Sequence, residues 1–260
     1  MNLVEVTREG AVAFLELSRP EQRNALSVGL CDAIVDALDD IGSEPTTRVV
    51  VLRGRGKVFC AGADFAAVAG GGGMEFLPRF ERMLEAVARF RLPTVAQING
   101  AALGGGLQLA AVCDFRIAAD DAKLGIPSTR LGVVVNYENV RRQVLLTGAA
   151  VAREVLMTGR TFTGPEAAAA GLVNRSVPEA DLATECRTLA EGIASLAPLP
   201  VQGAKRAIQA VLDSTGDARS SAPEAASEID RLVADAYQSA DLAEGLQAMR
   251  DKRPPRFTGT

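Results

Sequence analysis

The chain has no histidine and no tryptophan, only two tyrosines, and lysine at just four positions, Lys57, Lys123, Lys205 and Lys252. Without histidine, the Ser-His-Asp and Cys-His nucleophile arrangements are excluded. Most transition-metal sites go with them, because four scattered cysteines are poor substitutes for imidazole. Any proton chemistry must use carboxylates, tyrosine, lysine, a thiol or the substrate itself. Cys31, Cys60, Cys113 and Cys186 are widely spaced and form no CxxC pair, as expected of reduced, semi-buried thiols in a cytosolic protein. No basic block is present to hold nucleic acid, and the net charge is −4. The opening "MNLVEVTREG" lacks the basic-then-apolar pattern of a signal peptide. No apolar run is long enough to span a bilayer. These absences predict a soluble, cytoplasmic protein.

What is present is apolar to 48% over 260 residues, enough for a sizeable core. The length suits one large domain, or one domain with a helical appendage. "LVEVTREGAVAFLELSRP" predicts a hairpin turning at Glu9-Gly10. Ser27 can cap a helix in which Leu30, Ile34, Leu38 and Ile41 share a face. "TRVVVLRG" reads as a buried strand and is followed by the loop "GRGKVFCAGAD". Four glycines, residues 70–73, mark either a mobile loop or a surface linker. The pattern from Glu75 to Phe90 is helical, and Pro93 stops it. "TVAQI", "DFRIAAD" and "AKLGIP" read as strands, and Gly104-Gly105-Gly106 opens a helix ending near Cys113. Strand, strand, helix thus recurs through the first two thirds of the chain. Beyond about Glu138 helices predominate, one of them preceded by Thr163 or Gly164 with Pro165 at its start. The expected division is a mixed α/β core over residues 1–195 and a helical region over 196–260.

Neither glycine-rich loop is a dinucleotide fingerprint or a P-loop: "GAALGGGL" contains no GxGxxG, and no Lys-Ser pair follows. Such glycines can serve tight packing alone. Yet both loops follow a predicted strand and bare N–H groups at a helix start, where orphan donors favour developing negative charge. Two such donors converging on one point would make an oxyanion hole.

The segments "RPEQRNALS", "VFCAGADFAAV", "PTVAQINGAALGGGLQLAAVCDFRIAADDAKLGIP" and "AAAAGLVNRSVP" together resemble the enoyl-CoA hydratase/isomerase (crotonase) superfamily over essentially the whole chain. The resemblance implies a spiral core of ββα repeats, a C-terminal helical trimerisation region and a coenzyme A thioester as ligand or substrate, with no permanently bound cofactor and no metal. It implies a homotrimer or a dimer of trimers. Carried onto this chain, the family's oxyanion amides are those of Ala63 and Gly105. Its coenzyme A contacts map onto Arg23, Asn24 and Ala25, and onto Cys60, Ala61 and Gly62, with Asp64 beside them. The basic tail, Lys252 and Arg253, resembles the segment that reaches the nucleotide phosphates, often from a neighbouring subunit. Arg23, Lys57, Lys252 and Arg253 would offset the charge of a polyanionic ligand locally.

In the hydratases of this superfamily two glutamates handle the water and the α-proton. The matching positions here are Gln108 and Ser128. A glutamine orients water but takes no proton at neutral pH, and a serine without a base is no better. General acid–base assistance is worth about 10²–10⁴ in rate per group, so the usual hydratase rate is expected to be lost. Ser128 also counts against the isomerases, which keep a carboxylate at or near that place. In "VVVNYENVRR", Asn136 reads as a helix cap, while Tyr137 and Glu138 remain as groups that could move a proton. Asp64 reads as a helix cap or a base. "GLQLA" with Ser128 after the proline is similar to a branch of the superfamily that binds or presents long-chain acyl-CoA. Phe65, Phe76, Leu77 and Phe80 are candidates for an acyl tunnel or for ordinary core. The first expectation is an acyl-CoA binder. The alternative is a lyase, isomerase, decarboxylase or thioesterase that stabilises a thioester enolate with Tyr137, Glu138 or Asp64.

Overall fold

The computed structural model describes residues 2–64, 73–214 and 231–260. β1 (Val4–Glu9) and β2 (Val12–Leu17) form the predicted hairpin, with Glu9 opposite Val12. Gly10 sits at φ +58° in its turn, a region glycine enters without Cβ strain. α1 (Val28–Ser43) begins at Ser27, whose Oγ accepts the Leu30 N–H at 3.2 Å. Its predicted apolar face, Leu30, Ile34, Leu38 and Ile41, is buried throughout.

Three turns of a spiral follow. The first is β3 (Val49–Gly54), β4 (Val58–Cys60) and α2 (Gly73–Ala88). The second is β5 (Thr94–Ile98), β6 (Ala101–Leu103) and α3 (Gly105–Ala111). The third is β7 (Phe115–Ala119), β8 (Leu124–Gly125), a 3-10 turn at Pro127–Leu131 and α4 (Tyr137–Thr158). The chain continues through β9 (Thr161–Phe162), α5 (Gly164–Ala169), β10 (Arg175–Val177), α6 (Glu179–Ala194), α7 (Pro198–Ser214) and α8 (Ala240–Asp251). Each turn lays one strand in each of two sheets. The larger sheet runs β1-β2-β3-β5-β7-β10 and is parallel apart from the hairpin. The smaller runs β4-β6-β8-β9, with β9 antiparallel to β8. β5 is buried at every position, as a central parallel strand covered on both faces must be.

α2 spans Gly73–Ala88, shifted toward the N-terminus from the predicted 75–90. The periodicity reports its buried face, Phe76, Phe80, Met83, Leu84 and Val87, and says little about its ends. Gly70 to Gly72 and Phe65 lie outside the described residues. Asn136 caps α4 as expected, its Oδ1 accepting the Asn139 N–H at 3.0 Å. The helical C-terminal region is tied to the sheet by Lys205 on α7, whose Nζ donates to Asp114 Oδ2 at 2.7 Å and Leu92 O at 2.9 Å. Among the described residues no helix is long and apolar enough to cross a membrane.

Candidate functional site

β4 and β6 are parallel neighbours, Val58 pairing with Ala101 and Cys60 with Ala102. Loops leaving their C-terminal ends must therefore emerge side by side. One carries Ala63 and the other Gly105. A Cβ placed on Gly62 would lie 3.4 Å from Gly105 N and 2.7 Å from Leu103 O, so the two loops are in contact. In a trans peptide the C=O and N–H point in opposite directions. Gly62 O accepts from Leu26 N at 2.8 Å, which turns the Ala63 N–H of the same peptide unit away from Leu26. Gly104 O accepts from Gln108 N at 3.2 Å, which directs the Gly105 N–H out of the start of α3.

Each of the three glycines has its own physical reason. Gly104 adopts φ +53° and ψ −119°, a conformation that side chains disfavour. A Cβ on Gly105 would stand 3.2 Å from both Leu26 Cδ1 and the Phe80 ring. On Gly106 it would come within 2.2 Å of Cys60 O. Phe80 stacks on Phe76 with ring centroids 5.5 Å apart, and both rings are buried in the core beside the candidate site; Leu77 is exposed.

Gln108 lies one turn inside α3, and its Oε1 is buried with no hydrogen-bond partner. Ser128 is half-buried in the 3-10 turn after β8. Tyr137 is 75% exposed. Glu138 is engaged in the first turn of α4 with Arg141 at 3.1 Å and Arg142 at 3.5 Å. Tyr137 and Glu138 line a cavity of about 1270 Å³ together with Asp114, Arg141, Arg142 and Lys205. That cavity adjoins Ala111 to Phe115, at the far end of α3 from Gly105. Asp64 is turned onto Arg19, whose Nη2 donates to its Oδ2 at 3.0 Å. Arg19 was not singled out from the sequence; it opens the recognised "RPEQRNALS" segment, but its partner is 45 residues away.

The residues matched to coenzyme A contacts divide by task. Arg23 and Lys57 are exposed. Asn24 is fully buried at φ +53°, and its Nδ2 donates to the carbonyls of Arg55 (3.1 Å), Val58 (2.8 Å) and Phe59 (3.2 Å). That clamp holds the Arg23 loop against the Lys57 loop, and Ala61 N adds a bond to Arg23 O at 3.0 Å. Ala25 O accepts from Arg19 Nη1. The Cys60 thiol is fully buried, and burial pushes it up to about 12, so it is no nucleophile at neutral pH. In the tail, Lys252 caps α8 in a left-handed conformation, and Arg253 is paired with Glu244 at 2.7 Å. Phe257 O is held by Arg48 Nη2 at 2.7 Å, just before β3 begins, whereas the Lys57 loop follows the other end of β3.

The family model described as Enoyl-CoA hydratase/isomerase matches residues 7–260. A Mycobacterium leprae protein named "Probable enoyl-CoA hydratase echA6" is 37% identical over 261 residues, covering 99% of this chain and 100% of that protein. The solved enoyl-CoA hydratase of Bacillus anthracis superposes with a TM-score of 0.90 at 34% identity, over 99% of this chain and 100% of that one. An enoyl-CoA hydratase/carnithine racemase from Magnetospirillum magneticum likewise gives 0.90 at 33% identity, over 100% and 97%. With the ββα spiral and the paired strand-end loops in place, the chain belongs to the enoyl-CoA hydratase/isomerase family.

Proposed function

We propose that the protein binds a coenzyme A thioester with its carbonyl oxygen between the N–H groups of Ala63 and Gly105, and that it lacks hydratase chemistry at the usual rate. The observation that carries this reading is the adjacency of those two peptides, each with its carbonyl side tied back and its N–H side turned away. Gln108 supports it: a buried, unpartnered amide oxygen costs about 1–3 kcal/mol, which an apolar residue would avoid. Arg23 and Lys57, exposed on loops joined by Asn24, suit the phosphates of the ligand. Phe76 and Phe80 suit the acyl side.

Lys252 and Arg253 fit a role toward a neighbouring subunit's ligand, since the tail beyond them is anchored at the opposite end of β3 from the Lys57 loop. The trimer this requires is consistent with exposed apolar residues on α7 and α8, including Ile208, Val211 and Met249.

A second reading, turnover, is favoured by relatives that carry hydratase names. It needs a proton carrier, and Glu138 is committed to Arg141 and Arg142. Decarboxylation asks least of the protein, because loss of CO2 itself generates the enolate.

The test is mass spectrometry of a short-to-long 2-enoyl-CoA series incubated with the protein in D2O, after retention of each thioester has been checked. Retention without hydration or deuterium uptake is expected. Hydration or exchange at rates comparable to working enzymes would defeat the binder reading, and loss of that activity in Tyr137→Phe or Glu138→Gln would identify the carrier.

A further inference from the structure

We infer that Arg19, paired with Asp64, is a positioning residue for the Ala63 amide, an inference that rests on the oxyanion reading above. The peptide that carries the Ala63 N–H begins at Gly62, which sits at φ +98° and has no side chain to resist rotation. Its orientation therefore depends on tethers from outside the loop. Two are the bonds of the Leu26–Ala63 bridge, Leu26 N to Gly62 O and Asp64 N to Leu26 O, both 2.8 Å. Arg19 staples the two sides of that bridge together. One guanidinium nitrogen donates to Ala25 O, next to Leu26, and the other to Asp64 Oδ2, next to Ala63.

The staple is itself anchored. Arg19 N donates to Asn24 Oδ1 at 2.9 Å, and Arg19 O accepts from Asn24 N at 2.8 Å. Asn24 in turn holds Val58 O and Phe59 O of β4. Arg19 is thus fixed to β4 at its root and reaches Asp64 at its tip, with the Ala63 peptide between. The two side chains are only 16% and 18% exposed, so solvent and salt weaken the pair little. A lysine would carry its donors on a single rotatable nitrogen, whereas the planar guanidinium spans Ala25 O and Asp64 Oδ2 with two nitrogens in fixed relation, so the geometry calls for arginine.

The test compares an acyl-CoA labelled with carbon-13 at the thioester carbonyl with the thioether analogue that lacks this carbonyl. Wild-type protein is expected to prefer the thioester and to move its carbonyl stretch to lower frequency on binding. Arg19→Met, checked for folding by circular dichroism, should lose the shift and roughly tenfold of the thioester affinity, the worth of one good hydrogen bond. Its affinity for the thioether should stay unchanged, which a general loss of structure would not allow. Asp64→Asn restores an acceptor oxygen and should keep most of the shift. Where Arg19→Met does not fold, Asp64→Ala severs the same link from the other end and is read in the same way. An intact shift and preference in either folded variant overturns the positioning role. A wild type with no shift and no preference overturns the oxyanion reading itself, so the two failures are distinct.

Discussion

Gly106 and Asn24 illustrate how differently residues of two recognised motifs can act. Gly106 faces the backbone of Cys60 so closely that a methyl group would fall within 2.2 Å of its carbonyl oxygen. Backbone cannot yield as a side-chain tip can. Gly106→Ala is expected to lower stability by about 1–3 kcal/mol, read from the midpoint of urea unfolding. Asn24 donates to three backbone carbonyls and accepts from Arg19 N, all from a fully buried position. Asn24→Ala should cost about 3 kcal/mol by leaving those groups without partners. Asn24→Asp should fail to rescue it, because a carboxylate donates nothing. Such roles were only half legible. Glycine-rich loops after strands were readable from the chain, whereas the contact that makes each glycine necessary involves residues far away in sequence.

The start signals of the elements were local and therefore readable. Ser27 caps α1, Asn136 caps α4 and Thr163 caps α5, each accepting an N–H within its own first turn. In α5 the signal is reciprocal. Thr163 Oγ1 takes the Glu166 N–H, and Glu166 Oε2 takes the Thr163 N–H at 2.8 Å. Hydrogen bonds from the Thr163 backbone and hydroxyl hold the Glu166 carboxyl below its ordinary value. A depressed carboxylate contributes stability above its unfolded value and loses it as pH falls through the folded one. Thr163→Ala removes this reciprocal cap and is expected to lower the melting temperature near neutral pH. The cost should shrink on acidification below the ordinary carboxylate range, as thermal melts of both proteins across pH would show. The ends of α2 were less readable, since an apolar stripe marks a buried face and not the residue at which the hydrogen-bond ladder stops.

Across the whole molecule, burial leaves a signature in the thiols. Cys31, Cys60, Cys113 and Cys186 are all buried, and desolvation pushes each up to about 12 from an ordinary 9.0. The unfolded chain therefore loses these protons first. Their contribution to stability is complete below the unfolded value and falls as pH rises from there toward the folded one. Urea midpoints should be flat across pH 7 to about 8.5 and should decline above about 9. A thiol reagent should find all four cysteines only after denaturation; rapid labelling of the native protein would contradict this burial.

From the sequence alone came the ββα recurrence, the hairpin, the caps and the family. These are local patterns or matched motifs, and the absence of histidine needs no structure to exclude its chemistry. Only the tertiary structure decided which groups meet. It joined the Ala63 and Gly105 loops because β4 and β6 pair in parallel. It turned Asp64 onto Arg19, and it set Tyr137 and Glu138 on the cavity at the far end of α3. Those outcomes depend on strand order, register and peptide orientation, which arise from contacts between distant segments and leave no periodic trace along the chain.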